Sequence, residues 1–141
     1  MDENLTYLKE LFQVEDKDVR TYSPLTLAYL GDAVYEVVVR TILVKKVNCP
    51  VNTLHHQASA LVRASAQSAM IERLEDKLTE EELSVYRRGR NAHSATMPKH
   101  AAMADYRRAT GFEALIGYLY LKEEIGRMLD LIHLGLGEEL S

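Results

Sequence analysis

Two acidic residues interrupt the two most apolar stretches of this 141-residue chain. Asp32 lies within residues 24–40, PLTLAYLGDAVYEVVVR, and Glu113 lies within residues 109–121, ATGFEALIGYLYL. Both stretches have the apolar pattern of a buried helix, in which an ionised and unpaired carboxylate is costly. The pattern around Asp32 therefore predicts a nearby cation or Arg and indicates a functional site. A helix N-terminus, or a core Asp paired with an Arg, is the alternative interpretation.

Small residues accompany both acids. Gly31 precedes Asp32, and Gly117 follows Glu113 by one helical turn on the same face. A helix-interior Gly costs roughly 1 kcal/mol relative to Ala, which favours sites where another backbone or a ligand comes close. We infer that the two helices approach each other closely and that Asp32 and Glu113 face each other. Two such carboxylates require a proton or a divalent cation between them, and their oxygen ligands suit Mg²⁺ or Mn²⁺.

The remaining sequence predicts further helices and shows no strand alternation. Ser23 is a good N-cap and Pro24 a good first residue for a central helix reaching about Lys46. Thr79 and Glu82 have the spacing of a capping box, which starts another helix. Further predicted helices cover residues 4–12, residues 54–78 after an N-cap at Thr53 (one long helix, or two with a break near 64–67), residues from about 101 to 121, and residues 123–136. The sequence thus predicts an all-α domain, a bundle of about seven helices.

Several motifs, in this order, resemble one known family. LAYLGDAV at residues 27–34 resembles the signature of the ribonuclease III catalytic domain, and FEALIGYLYL at residues 112–121 resembles its second acidic helix. Three segments resemble the short Mini-III branch of that family: TEEE at residues 79–82, RRGRNA at residues 87–92 and the pair Tyr106-Arg107. The resemblance implies the ribonuclease III endonuclease fold. It also implies one catalytic domain spanning residues 1–141, without a double-stranded-RNA-binding domain.

The same resemblance implies an activity. Members of this family cleave double-stranded RNA by metal-assisted hydrolysis and leave 5′-phosphate ends. For this chain it implies a Mg²⁺-dependent endoribonuclease in which Asp32 and Glu113 are catalytic and hold the metal, and for which Mn²⁺ can substitute. It further implies a homodimer that matures the precursor of large-subunit (23S) ribosomal RNA, with ribosomal proteins as further partners.

Two positions depart from the pattern of the larger family. That pattern has additional acids where this chain has Ala28 and Thr110. Only Asp32 and Glu113 remain, so we expect looser metal binding, and one ion or two could take part. A catalytically idle RNA-binding dimer in ribosome assembly is therefore an alternative function. A helical protein-interaction module is a third, and it predicts no affinity for RNA.

The charge distribution favours nucleic acid as a partner even though the formal net charge is −4. Residues 87–108 carry a formal charge of +5, and the rest of the chain carries −9. A basic segment leading into the helix of Glu113 predicts a phosphate-binding surface beside the acids, although a solvated basic face is the alternative. The residues predicted to bind RNA are Arg87, Arg88, Arg90, Asn91, Lys99 and Arg107. We also expect Gly89 to let the backbone approach the RNA.

Composition limits the remaining possibilities. With 47% hydrophobic residues, a chain of this length can bury a core of its own as one domain. A single cysteine, Cys49, excludes an intramolecular disulfide. The sequence shows neither a signal peptide nor an apolar run long enough to span a membrane. We therefore expect a cytoplasmic protein.

Overall fold

Seven α-helices and two short 3₁₀-helices form the part of the chain that the computed structural model describes, residues 2–92 and 103–137. The α-helices are α1 (Asp2–Phe12), α2 (Pro24–Lys46), α3 (Val51–Val62), α4 (Ala64–Leu74), α5 (Glu80–Asn91), α6 (Met103–Leu121) and α7 (Ile125–Leu136), and the 3₁₀-helices are Val19–Thr21 and Glu75–Lys77. This region contains no strand. The prediction of an all-α bundle of about seven helices is confirmed, with two helices rather than one between Pro50 and Glu75.

The core is built around α6. From residue 109 to residue 119 every residue of this helix is buried except Glu113. A helix that is apolar on all sides must be covered on all sides. Accordingly, α6 packs against α2, α5, α4 and α7. Glu113 is therefore the one residue in this stretch that is not fully covered by the neighbouring helices.

The backbones of α2 and α6 touch where the two helices cross. A Cβ atom on Gly31 would overlap the carbonyl oxygen of Glu113 and lie 2.7 Å from the backbone nitrogen of Gly117. A Cβ atom on Gly117 would in turn overlap the carbonyl oxygen of Leu27. Neither position has room for a side chain, so the prediction that small residues allow a close helix approach is confirmed. The crossing also fixes the positions of Asp32, next to Gly31 in α2, and of Glu113, one turn before Gly117 in α6.

On another face of α6, small residues allow α5 to pack closely against it. A Cβ atom on Gly89 would lie 2.8 Å from Cβ of Ala114 and 2.9 Å from Cα of Gly111. Gly89 is buried in this contact. The expectation that Gly89 lets the backbone approach RNA is therefore wrong, since the residue faces α6 instead of solvent.

Local hydrogen bonds start two of the helices as the sequence predicts. The Ser23 hydroxyl accepts a bond from the Thr26 backbone N–H (3.1 Å) at the start of α2. At the start of α5 the Thr79 hydroxyl accepts from the Glu82 N–H (3.1 Å), and the Glu82 carboxylate accepts from the Thr79 N–H (2.9 Å). The capping box is therefore confirmed. The Glu82 carboxylate also accepts two bonds from Arg127 (2.8 and 2.9 Å), which tie α5 to α7.

The predicted start of α3 is wrong by three residues. Thr53 was a plausible N-cap by residue type, but the helix begins at Val51, with Pro50 at the N-cap position and no side-chain bond there. Proline fixes its own φ near the value needed to enter a helix, so the turn forms without a capping side chain. None of the helices in the described part of the chain combines the length and apolarity needed to cross a membrane.

The contact between α2 and α6 predicts a large difference between two glycine substitutions. Gly31→Ala places a methyl group against the backbone of α6, so the free energy of unfolding should fall by at least ~2 kcal/mol. Gly126→Ala is the matched control, because nothing lies within 4 Å of a Cβ atom in α7 there. Its helix propensity should leave stability unchanged or raise it by up to about 1 kcal/mol. Urea unfolding of both variants measures the difference, and equal stabilities would contradict the backbone contact.

Candidate active site

The two predicted acids lie in one open cavity of about 450 Å³ formed by α2, α4 and α6. Its wall comprises Leu25, Ala28, Tyr29 and Asp32 of α2, Val62, Ala64 and Gln67 around the junction of α3 and α4, and Tyr106, Ala109, Thr110 and Glu113 of α6. The structure thus brings together Asp32 and Glu113, which are 81 positions apart in the sequence. It also places Ala28 and Thr110 in the same wall.

The two carboxylates have different surroundings. Asp32 is exposed, so the expectation that it is buried is wrong. The reason is that α2 buries a different stripe, which includes Gly31, Val34 and Tyr35. Glu113 is largely buried, and this burial raises its pKa to about 8, helped by repulsion from Asp32 and a hydrogen bond with it. Without a cation, Glu113 therefore holds a proton near neutral pH.

The donor set fits a divalent metal ion. Within the described residues, neither carboxylate has a Lys or Arg partner, so the predicted nearby cation is not a side chain of this region. Two facing carboxylates, one of them protonated because of its burial and the nearby Asp32, are a suitable pair of oxygen ligands for a hard cation. The same residues contain no cluster of three or more His, Cys, Asp or Glu that could hold a metal. Other ligands of such an ion would be water or oxygen atoms of a bound substrate.

The two positions where the resemblance implies further acids offer no carboxylate to the cavity. Ala28 and Thr110 are 7% and 8% exposed and offer the cavity a methyl group and a hydroxyl group. The Thr110 hydroxyl donates to the carbonyl oxygen of Tyr106 (2.9 Å), one helical turn earlier. As expected from the sequence, Asp32 and Glu113 are therefore the acidic side chains that the described cavity wall offers.

Sequence reasoning missed Gln67, which lies beside Glu113. Its side chain is 1% exposed, and its amide nitrogen donates to the Val62 carbonyl oxygen (2.8 Å) and to Oε2 of Glu113 (3.3 Å). One signal was available, because Gln67 is a polar residue on the apolar face of α4 that carries Met70, Ile71 and Leu74. Tyr106, noted in the sequence only as part of a motif, also lies in the cavity wall.

Arg87, Arg88 and Asn91 lie at the end of α5, and all three are exposed. They line a shallow surface depression together with Pro24 and Glu80. This depression is separate from the cavity of the acids, and the two are linked through the chain neighbours Pro24 and Leu25 at the start of α2.

The other residues predicted to bind RNA have different surroundings. Arg90 lies over the ring of Tyr86, with 5.6 Å from its guanidinium carbon to the ring centre, and donates to the Asn91 side chain (3.2 Å). Arg107 is partly buried, and its Nε atom has no hydrogen-bond partner among the described residues. Lys99 lies outside the described residues and stays a prediction.

Comparison with known proteins gives a consistent result. A family model described as the ribonuclease III domain matches residues 25–124. The chain is 44% identical over 128 residues to a Mini-ribonuclease 3 of a Thermoanaerobacter species, covering 91% of this chain and 90% of the relative. It is 49% identical over 112 residues to that of Symbiobacterium thermophilum, covering 79% and 86%. A crystal structure of a protein from Fusobacterium nucleatum superposes with a TM-score of 0.77 at 30% identity, covering 86% of this chain and 93% of that one.

The fold, the facing acids and these matches together define the class of the protein. The chain belongs to the ribonuclease III family of endoribonucleases, which act on double-stranded RNA and are generally metal-dependent. Its relatives place it in the Mini-ribonuclease 3 branch of that family. The resemblance inferred from the sequence motifs is confirmed at both levels.

The raised pKa of Glu113 predicts how the metal-free protein responds to pH. The folded state keeps the Glu113 proton up to about pH 8, whereas the unfolded chain releases it near the ordinary value of 4.5. The contribution of the Glu113 proton to stability is therefore complete below the unfolded pKa and is lost as pH rises through the folded pKa. In this window the free energy of unfolding falls by up to about 1.4 kcal/mol per pH unit. Chemical unfolding in chelator across this window measures the slope. Glu113→Gln should flatten it and Glu10→Gln, on the exposed side of α1, should not; an unchanged slope in Glu113→Gln contradicts the assignment.

Proposed function

We propose that this chain is a Mg²⁺-dependent endoribonuclease that cleaves double-stranded RNA with Asp32 and Glu113 as its catalytic, metal-holding residues. One observation carries the proposal: two carboxylates share an open cavity at the crossing of the central helices, without a Lys or Arg partner in the described residues. Mn²⁺ can substitute, because it accepts the same oxygen ligands.

The two acids have distinct tasks in this proposal. Asp32 is exposed on the open side of the cavity, where an RNA phosphate can reach it. Glu113 is largely buried, and its carboxylate together with that of Asp32 would hold the cation. A divalent ion supplies Lewis-acid activation of water and of the scissile phosphate. The methyl group of Ala28 and the hydroxyl group of Thr110, which is hydrogen-bonded to Tyr106, leave space for water in the cavity. The products have 5′-phosphate and 3′-hydroxyl ends, and no protein nucleophile is needed to form them.

The basic end of α5 holds the RNA backbone in this proposal. A-form RNA presents phosphates and 2′-hydroxyls but hides the base edges of its deep groove. Arg87, Arg88 and Asn91 are exposed along one depression at the end of α5 and suit contacts with successive phosphates. Arg90 and Arg107 add positive charge to the same part of the sequence, together with Lys99. Recognition is then mainly of shape and charge.

An exposed apolar stripe on α2 supports a homodimer. Leu25, Tyr29, Val37 and Val44 are 37%, 83%, 54% and 63% exposed and share one face of α2 with the ion pair of Glu36 and Arg40 (2.9 Å). Large apolar patches on a soluble domain mark interaction surfaces. We propose that a second copy covers this stripe through a two-fold contact. Because Leu25 and Tyr29 also line the cavity, the dimer would bring two active sites together, one for each strand of the duplex.

The proposed physiological substrate is the base-paired precursor of 23S ribosomal RNA, with ribosomal proteins as further partners in the cytoplasm. The support is membership of the Mini-ribonuclease 3 branch together with the site described above. The alternative is an idle RNA-binding dimer, favoured by the missing acids at Ala28 and Thr110.

A cleavage assay tests the catalytic proposal. The protein should cut a perfectly paired RNA with Mg²⁺, leave the matching single strand intact and stop when EDTA is added. Asp32→Asn should reduce cleavage more than about 100-fold, beyond the usual effect of losing an outer-shell metal partner. Its stability should stay close to that of the wild type, because Asp32 is exposed and Asn has the same size.

The control for this assay is Asp76→Asn, which lies in a 3₁₀-helix and not in the cavity wall. It should cleave like the wild type. Duplex binding without cleavage in either Mg²⁺ or Mn²⁺ would support the idle RNA-binding dimer instead. Near-normal cleavage by Asp32→Asn would remove Asp32 from the mechanism.

A salt titration tests the RNA-binding surface. Replacing Arg87 and Arg88 by Gln should weaken duplex binding and lower the slope of log affinity against log salt by about 2, one for each lost phosphate contact. Stabilisation by Mg²⁺ should persist. Lys17→Gln with Lys45→Gln removes the same charge from exposed positions elsewhere. If both double variants lose affinity equally, net charge rather than a local surface governs binding.

Sedimentation tests the dimer. The wild type should sediment as a dimer, and Val37→Glu, which puts a charge in the middle of the stripe, should give a monomer with an unchanged helical spectrum. Leu134→Glu is the control, since Leu134 is similarly exposed (42%) but lies on α7. A wild-type monomer, or a Val37→Glu dimer, would contradict this interface.

A further inference from the structure

The buried amide of Gln67 is only half satisfied. It lies on the apolar face of α4 and is 1% exposed. Its amide nitrogen has two acceptors, yet its Oε1 atom has no hydrogen-bond partner among the described residues. Leaving such an oxygen unpaired costs about 1–3 kcal/mol, which an apolar side chain of the same length would avoid. The unpaired oxygen offsets part of what the two bonds of the amide nitrogen contribute to stability, so the nitrogen end is the part of this side chain that has a specific role.

The orientation of that amide follows from the backbone. Arg63 is extended (ψ 157°), so α3 ends at Val62 and α4 starts anew at Ala64. A carbonyl oxygen can only accept, so the bond to Val62 O (2.8 Å) places the NH₂ group of Gln67 toward the helix junction. The second proton of that NH₂ group is then available to Oε2 of Glu113 at 3.3 Å.

Glu113 needs such a partner more than Asp32 does. A Glu side chain loses up to about 2 kcal/mol of rotamer entropy when it is fixed in one position. With Ala28 and Thr110 in place of acids, the described residues of the cavity wall offer a cation two carboxylates, Asp32 and Glu113. Each of them must be held in place before the ion arrives. Gln67 provides this on the side of α4, using a rigid backbone carbonyl as its own support.

We propose that Gln67 is a positioning residue. Its amide nitrogen bonds both the Val62 carbonyl at the end of α3 and Oε2 of Glu113, and so holds the Glu113 carboxylate in the orientation that binds a divalent cation. The inference rests on the proposed function, because it assigns Gln67 to the same metal site. Gln67 acts through Glu113 and does not itself bind the ion. No other element supplies an amide or hydroxyl donor to Glu113 within the described residues.

Metal binding without RNA tests this role. Gln67→Met keeps the length of the side chain and removes both hydrogen bonds. Titration of the RNA-free variant with Mn²⁺ should show at least about 10-fold weaker affinity, the usual loss for an outer-shell partner. The Mg²⁺ concentration for half-maximal cleavage should rise by a similar factor, and cleavage at saturating Mg²⁺ should recover. The melting temperature in EDTA should stay the same or rise, because an unpaired buried oxygen is gone.

Two further proteins make the outcome decisive. Gln57→Met, on the exposed side of α3, should match the wild type in every measurement. Gln67→Leu serves as the second variant if the methionine does not fold. Unchanged Mn²⁺ affinity in a folded Gln67 variant, or a large loss of melting temperature with affinity intact, overturns the positioning role. If instead the wild type neither binds Mn²⁺ nor cleaves duplex RNA, the proposed function itself fails.

Discussion

The backbone contact between α2 and α6 is the constraint on which the rest of the domain depends. Gly31 and Gly117 leave no space between the two helices, so the helices cannot slide or separate without losing the centre of the core. Rigid elements position functional groups better than loops do. Because Asp32 directly follows Gly31, and Glu113 supplies the carbonyl that Gly31 touches, the same contact sets the distance between the two carboxylates. The packing of the core and the placing of the two carboxylates therefore share one structural cause.

The electrostatics of the cavity are organised by depth. One carboxylate is exposed, whereas the other is largely buried and its pKa is raised to about 8. A proton on Glu113 removes the repulsion between the two acids. The exposed Arg87 and Arg88 belong to a segment with a net positive charge, residues 87–108, in a chain whose formal net charge is −4.

Sequence reasoning succeeded where a local rule decides the structure. Ser23 with Pro24, the Thr79 and Glu82 capping box, and Gly117 one turn from Glu113 each act over a few residues, so their spacing can be read directly. It failed where partners are distant. Asp32 is exposed because α2 is apolar on more than one face, and periodicity alone does not show which face is covered. Gln67 was missed because its partner Glu113 is 46 positions away. Gly89 was misassigned because only the fold shows that α6 covers it.

The burial of α6 limits how this enzyme can diversify. Residues 109–119 are enclosed on every side apart from Glu113, and Gly111 and Gly117 have no room for a larger side chain. A lineage, or a directed-evolution library, therefore finds few tolerated changes in the helix that carries Glu113. Sequence variation must accumulate at exposed positions instead, such as the end of α5 and the rim of the cavity. The exposed surface can then change while the buried centre of the domain stays the same.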